Sequence, residues 1–163
     1  MPGRALGESS VAVGVRAGDW REAVEVSGRL LVFSGAAEEG YVPAMVRVVE
    51  EFGAYSVIAP GVALPHARPE DGALGVGLSL AALAEPVEFG SPENDPVDLV
   101  FGFATPGNDA HVELLGKLAD FIDNEQSLQA LRQARSAEEM IRTMEGGAEH
   151  DQDICRLRHG AGN

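Results

Sequence analysis

A single cysteine, Cys155, is all the thiol chemistry that the 163 residues offer. It excludes an internal disulfide framework and any zinc site built from several cysteines. Basic residues are scarce too. Twelve Lys and Arg stand against 26 Asp and Glu, a net charge of −14 and a pI near 4.5. That balance is wrong for gripping a phosphate backbone, so no nucleic-acid partner is expected. Adhesion to an anionic membrane surface is disfavoured for the same reason. No run approaches the roughly 18 apolar residues of a spanning helix. Residues 1–10 hold one arginine and no apolar stretch, so no signal peptide is expected and the chain reads as cytoplasmic. Several motifs are missing as well. Without GxGxxG or GxxxxGK followed by Ser or Thr, nucleotide binding has no support. HExxH and GxSxG are absent, which argues against a zinc protease and an α/β-hydrolase.

What is present is a core. Apolar residues make up 45% of the chain, and the length suits one domain. Residues 10–16 alternate and are valine-rich, a short strand. Asp19 with Glu22 three residues on is a capping-box pattern that opens a helix. A second helix is predicted over 38–51, where Val42, Met45, Val46 and Val49 fall on one stripe. Gly53 stops it. Residues 55–59 and 62–64 read as short strands around a Pro60-Gly61 turn. Residues 75–83 read as a strand, 87–90 as a short one, and 97–104 as a strand buried on both faces. Helices are predicted over 110–123, 127–133 and 136–144. Helices, then strands, then helices imply an α/β fold, a mixed β-sheet sandwiched between α-helices. The domain is expected over 1–147. The polar, aperiodic segment 148–163 is expected to be a disordered tail. It carries three acids and two arginines, so −13 of the net charge belongs to the domain.

Four histidines stand out as chemistry-bearing groups. His150 and His159 fall in the tail and read as solvated. His66 follows Pro65 at the end of a short apolar run and precedes a polar turn. Functional groups in α/β folds gather where strands end, and Pro65 fixes its own φ. The bland alternative is an ordinary loop histidine. His111 sits in the first turn of a helix, just after Asn108-Asp109. It lies on the apolar stripe, so one reading is a core histidine. The other is a neutral hydrogen-bond donor beside a helix start, where free N–H groups favour an anion such as a phosphoryl group. A zinc site from His66, His111 and a carboxylate has no diagnostic spacing. No metal and no cofactor is called for.

The run Gly61-Val62-Ala63-Leu64-Pro65-His66-Ala67-Arg68-Pro69-Glu70 resembles the active-site segment of phosphotransferase-system enzyme IIA domains of the mannitol/fructose superfamily. ALPHARPEDG, residues 63–72, is most similar to the ascorbate-type branch. Four further segments are similar to the same family, in order: YVPAM at 41–45, EPV with FG at 85–90, DPVDLVFG at 95–102 and HVELLGKL at 111–118. The resemblance covers residues 8–145.

It implies a phosphoryl carrier. His66 matches the histidine that accepts a phosphoryl group from the phosphohistidine of the small carrier HPr. The group then passes to enzyme IIB, which serves the membrane component IIC in sugar uptake. His111 matches a second histidine that supports the phosphoryl group. The family pattern also carries an arginine on the Tyr-x-x-Ala-Met helix, which makes Arg47 a candidate phosphate contact; Arg68 is the other cation near the site in sequence. The backbone N–H groups of Gly61 and around Ala67 are candidate donors. A homodimer would be ordinary for such a domain. Two other readings stay open: a regulatory phospho-switch that acts by binding proteins, and a metal-dependent hydrolase using His66 and His111.

Overall fold

A five-stranded mixed sheet forms the middle layer, with helices on both faces. The computed structural model describes residues 10–107 and 109–145, and their side chains except those of 109–111. The tail expected to be disordered lies outside the described residues, as do His150, His159 and Cys155.

Strand β1 (Val11–Val15) leads into α1 (Trp20–Phe33). Asp19 caps α1, its carboxylate accepting from Glu22 N–H at 2.9 Å. The returning Glu22 carboxylate takes Gly18 N–H at 2.8 Å, one residue earlier than a strict capping box uses. Helix α2 (Tyr41–Phe52) starts three residues later than the pattern predicts. Residues 38–40 are a turn instead, because Glu38 N–H is donated to Gly72 carbonyl, far along the chain. Gly53 ends α2 at a φ of 60°, a left-handed setting that favours glycine. Here the strand predicted over 55–59 is shortened. Residues 53–56 form a 3-10 turn and only β2 (Val57–Ala59) is strand. Its sole neighbour is the two-residue β3 (Val62–Ala63), so no further ladder exists to hold it extended.

The two strands predicted at 75–83 and 87–90 are one, β4 (Gly77–Val87). It pairs antiparallel with β5 (Val97–Ala104), and the register shifts between Ala82 and Val87. Pro86 has no N–H to give to the ladder there. The sheet order is β1-β4-β5-β3-β2, with β1 parallel to β4 and β3 parallel to β5. The β4–β5 connection folds over one carboxylate. Asp95 accepts from the N–H groups of Phe89, Gly90 and Ser91 at 2.8–3.1 Å. Helices α3 (Asp109–Asp123), α4 (Glu125–Gln133) and α5 (137–145) follow. Arg132 of α4 forks onto Asp98 at 2.8 and 3.0 Å and reaches Pro60 carbonyl at 3.2 Å, tying α4 to β5 and the β2–β3 turn.

Strand β5 is buried on both sides, as its apolar run requires. Leu99, Phe101 and Phe103 join the core under α3–α5; Val100 and Ala104 join the core under α1 and α2. The period-two alternation of a strand separates them. No helix among the described residues is long and apolar enough to cross a membrane.

Candidate functional site

His66 stands where three pieces of the fold meet. It forms a parallel bridge with Phe103, at the end of β5. Pro65 carbonyl accepts from Phe103 N–H at 3.3 Å. One residue earlier, Leu64 N–H is donated to Ser56 carbonyl at 2.7 Å. The segment therefore runs as a short extended stub beside the last residues of β5. Burial alternates along it: Pro65 and Ala67 point in, His66 and Arg68 point out. Side chains two apart on an extended segment share a face, so the imidazole and the guanidinium project to the same side.

The imidazole has a defined orientation. Its Nδ1 lies 3.1 Å from Leu64 carbonyl oxygen. A carbonyl oxygen only accepts, so Nδ1 carries the proton. In the neutral ring the lone pair is then on Nε2, the atom pointing away from that contact. The arrangement gives an exposed, oriented nitrogen nucleophile.

Tyr41 supplies what the sequence reading missed. Its ring is 1% exposed at the first turn of α2. The hydroxyl accepts from Ala67 N–H at 3.0 Å and lies 2.8 Å from Phe103 carbonyl and 3.2 Å from Ala67 carbonyl. Having one proton, it donates to the nearer, Phe103. Burial pushes the Tyr41 hydroxyl pKa up; the Ala67 hydrogen bond opposes this and the charge of Asp71 adds to it. The phenol stays protonated at neutral pH. No sequence pattern announces these contacts, since Ala67 and Phe103 lie 26 and 62 residues from Tyr41. The only signal was the Tyr in the resembling helix motif.

Other expected contributors are placed differently. Ala67 N–H is taken by Tyr41, and Gly61 N–H by Asn94 carbonyl at 2.9 Å. Neither is free to hold a phosphoryl group. Gly61 also opens the short β3, whose other end leads to His66. Arg47 is exposed on α2, six residues beyond Tyr41. Six helical residues turn 600°, which sets it 120° from the Tyr41 direction and about 9 Å along the axis. The helix therefore points the Arg47 Cβ away from the direction in which Tyr41 reaches Ala67. Arg68 is exposed on that side, and among the described residues no carboxylate pairs with its guanidinium. His111 is the third residue of α3, which starts five residues after β5 ends. Its side chain lies outside the described residues. Among those residues no three His, Cys, Asp or Glu groups gather as a metal would need.

Comparison with known proteins agrees with this architecture. Residues 5–146 match the family model "Phosphoenolpyruvate-dependent sugar phosphotransferase system, EIIA 2". The ascorbate-specific PTS system EIIA component of Salmonella typhimurium is 37% identical over 134 residues, 82% of this chain and 87% of that one. In structure, the mannitol-specific cryptic phosphotransferase enzyme IIA CmtB of Escherichia coli aligns with a TM-score of 0.78 at 33% identity, covering 88% of this chain and 97% of that one. Mannitol enzyme IIA of Escherichia coli, solved in complex with phosphorylated enzyme IIB, aligns with a TM-score of 0.75 at 29% identity, covering 86% and 97%. With the family model spanning nearly all of the described fold, the chain belongs to the EIIA 2 family and is an EIIA component of a sugar phosphotransferase system.

Proposed function

We propose that the chain is a phosphoryl carrier in which His66 Nε2 takes the group from phospho-HPr and hands it to an enzyme IIB. The observation that carries this is the tethered ring: Nδ1–H is tied to Leu64 carbonyl and Nε2 is left as the nucleophile on an exposed side chain. In the transfer, a bond forms from Nε2 to phosphorus as the donor's P–N bond breaks. A donor ring protonated on its other nitrogen leaves as neutral imidazole with the electron pair. His66 keeps its Nδ1 proton, so charge passes from ring to ring and no acid or base is consumed. Such a reaction needs positioning and charge stabilisation above all. Arg68, on the same face, supplies a cation for the phosphoryl oxygens. His111 is the second histidine by resemblance, and the start of α3 adds N–H groups at a positive helix end.

An exposed acceptor suits delivery by another protein's side chain. Leu74 and Val76 are exposed just before β4 begins at Gly77, which pairs with Ala104 beside Phe103. They offer apolar surface at the His66 end of the sheet for such a partner. A chain fed by phospho-HPr would work in the cytoplasm. The ascorbate-specific relatives make an ascorbate-type enzyme IIB the acceptor to test first.

The test is incubation with phosphoenolpyruvate, enzyme I and HPr. About one acid-labile, alkali-stable phosphate per chain is expected, as a phosphohistidine requires. A chain that stays unlabelled while HPr is phosphorylated overturns the proposal. Chased with enzyme IIB, the label should move faster to an ascorbate-type than to a mannitol-type partner. Arg68→Ala should still label, at an initial rate about tenfold lower, one charge-assisted contact's worth. A wild-type rate would remove Arg68 from the site.

A further inference from the structure

We infer that Thr105 is the positioning residue that sets where His111 stands relative to His66, an inference that rests on His66 accepting the phosphoryl group and His111 supporting it. One short path joins the two histidines. Phe103 lies beside His66 in a parallel bridge, and its N–H is donated to Pro65 carbonyl at 3.3 Å. Ala104 ends β5, paired with Gly77. Four residues, Thr105 to Asn108, then lead to Asp109, the first residue of α3. Whatever fixes this connection fixes the first turn of α3 against the strand end that carries the His66 bridge.

The residues of the connection differ in freedom. The ring of Pro106 fixes its own φ. Gly107 is the loosest point, since glycine has more backbone conformations open to it than any other residue. Thr105 takes hold of both sides of that point. Its hydroxyl donates to Gly107 carbonyl at 2.6 Å and accepts from Gly107 N–H at 3.3 Å. The second contact orients the peptide before Gly107, the first the peptide after it. Asn108 alone is left between that peptide and the helix. The helix body holds its own first turn less firmly. Val112 is 64% exposed and Glu113 is exposed. Leu114 and Leu115 are the first described α3 side chains packed on the core, and Leu118 is the first that is buried. His111 thus lies between the packed part of α3 and the loop, in the turn where a helix frays. Without the Thr105 hydroxyl, Gly107 regains its torsional freedom and that turn opens more often. Thr105 acts on His111 through the backbone.

Thr105→Val keeps the side chain's shape and deletes the hydroxyl, while Thr105→Ser keeps the hydroxyl. The amides of Glu113 and Leu114 bond to carbonyls of the first turn of α3. In full-length Thr105→Val they should exchange about fivefold faster than in the wild type, one hydrogen bond's worth, with β5 amides unchanged. The kcat for phosphoryl acceptance should fall by a similar factor with KM for phospho-HPr unchanged. Thr105→Ser should restore both. The deciding arm is the double variant: in a His111→Ala background, Thr105→Val should lower the rate no further, because the two residues act as one unit. Losses that multiply independently overturn the inference. So does Thr105→Val with a wild-type rate, with unchanged exchange, or with a rise in KM alone. Should Thr105→Val not fold, Thr105→Ala takes its place in every arm. Exchange is read without any phosphate, so a wild-type chain that accepts none sinks the carrier reading, while exchange still shows whether Thr105 holds the turn.

Discussion

His66→Ala is expected to lose phosphoryl acceptance completely while folding as the wild type does. The side chain is exposed and makes one side-chain hydrogen bond, to Leu64 carbonyl. Removing it creates no cavity and strands no buried group, so stability should change by about 0.5 kcal/mol or less. The chemical loss should be total, because none of the described side chains around His66 can replace a nitrogen nucleophile, and His111 is proposed to support the phosphoryl group, not to accept it. Arg68 carries a guanidinium, which has no lone pair to offer. Tyr41 has a hydroxyl, but it is buried and committed to Ala67 and Phe103. The check is label from phospho-HPr alongside a circular-dichroism melt. Label persisting on His66→Ala with a wild-type melt would move the acceptor to another residue. His66→Gln is a useful companion, since its amide can reproduce the contact with Leu64 carbonyl but cannot carry phosphate. It too should remain unlabelled.

Gly102→Val is expected to give the largest loss of stability. Gly102 lies on the face of β5 turned to α1. A Cβ there would overlap Ser79 Oγ and come within 3.0 Å of Ser27 carbonyl and 3.2 Å of Ser27 Cβ. Ser79 Oγ has no room to retreat, because it donates to Ser27 carbonyl at 2.7 Å. Ser27 in turn is fully buried in α1, its own hydroxyl bonded to Val24 carbonyl at 2.7 Å. A branched side chain must push the helix off the sheet or break the Ser79 bond, and both effects are destabilising. Together they should cost about 3 kcal/mol. For a chain of this length that lowers Tm by roughly 6–12 °C. A variant melting within about 2 °C of wild type would show that α1 can shift freely. Gly116→Ala is the contrast. Gly116 is exposed inside α3 with open space where the methyl would go. There the added Cβ should stabilise by about 0.5–1 kcal/mol, because glycine's extra backbone freedom is lost from the unfolded chain.

The two glycines also show how far a linear reading reaches. Both are isolated glycines in regular elements, and nothing local distinguishes them. One lies beneath a helix that arrives from 75 residues earlier, the other faces water. The same holds for the strands. The apolar run 97–104 announced a buried strand by itself, since every second residue must find cover on each side. The strand at 55–59 was overestimated because its length depends on a two-residue neighbour. The strands expected at 75–83 and 87–90 run on as one through an irregular register, because β5 continues alongside.

For the candidate site, the exposed position of His66 at the end of a strand was legible from its place after Pro65 at the end of an apolar run. The expected backbone donors were not. Gly61 and Ala67 N–H groups looked available in the sequence and are both occupied, one by Asn94 and one by Tyr41. Arg47 and Arg68 looked equivalent by charge, and helical rotation separates them.

Local physics therefore determined much by itself. The capping carboxylate of Asp19, the stop at Gly53, the double-sided strand β5, the strongly acidic balance and the candidate nucleophile all follow from neighbours within a few residues or from composition. The tertiary structure alone decided what braces the backbone beside His66 and where a glycine in β5 has no room for a side chain. Those depend on hydrogen bonds and contacts between residues 26 to 75 positions apart, and a chain brings such residues together only when its core closes.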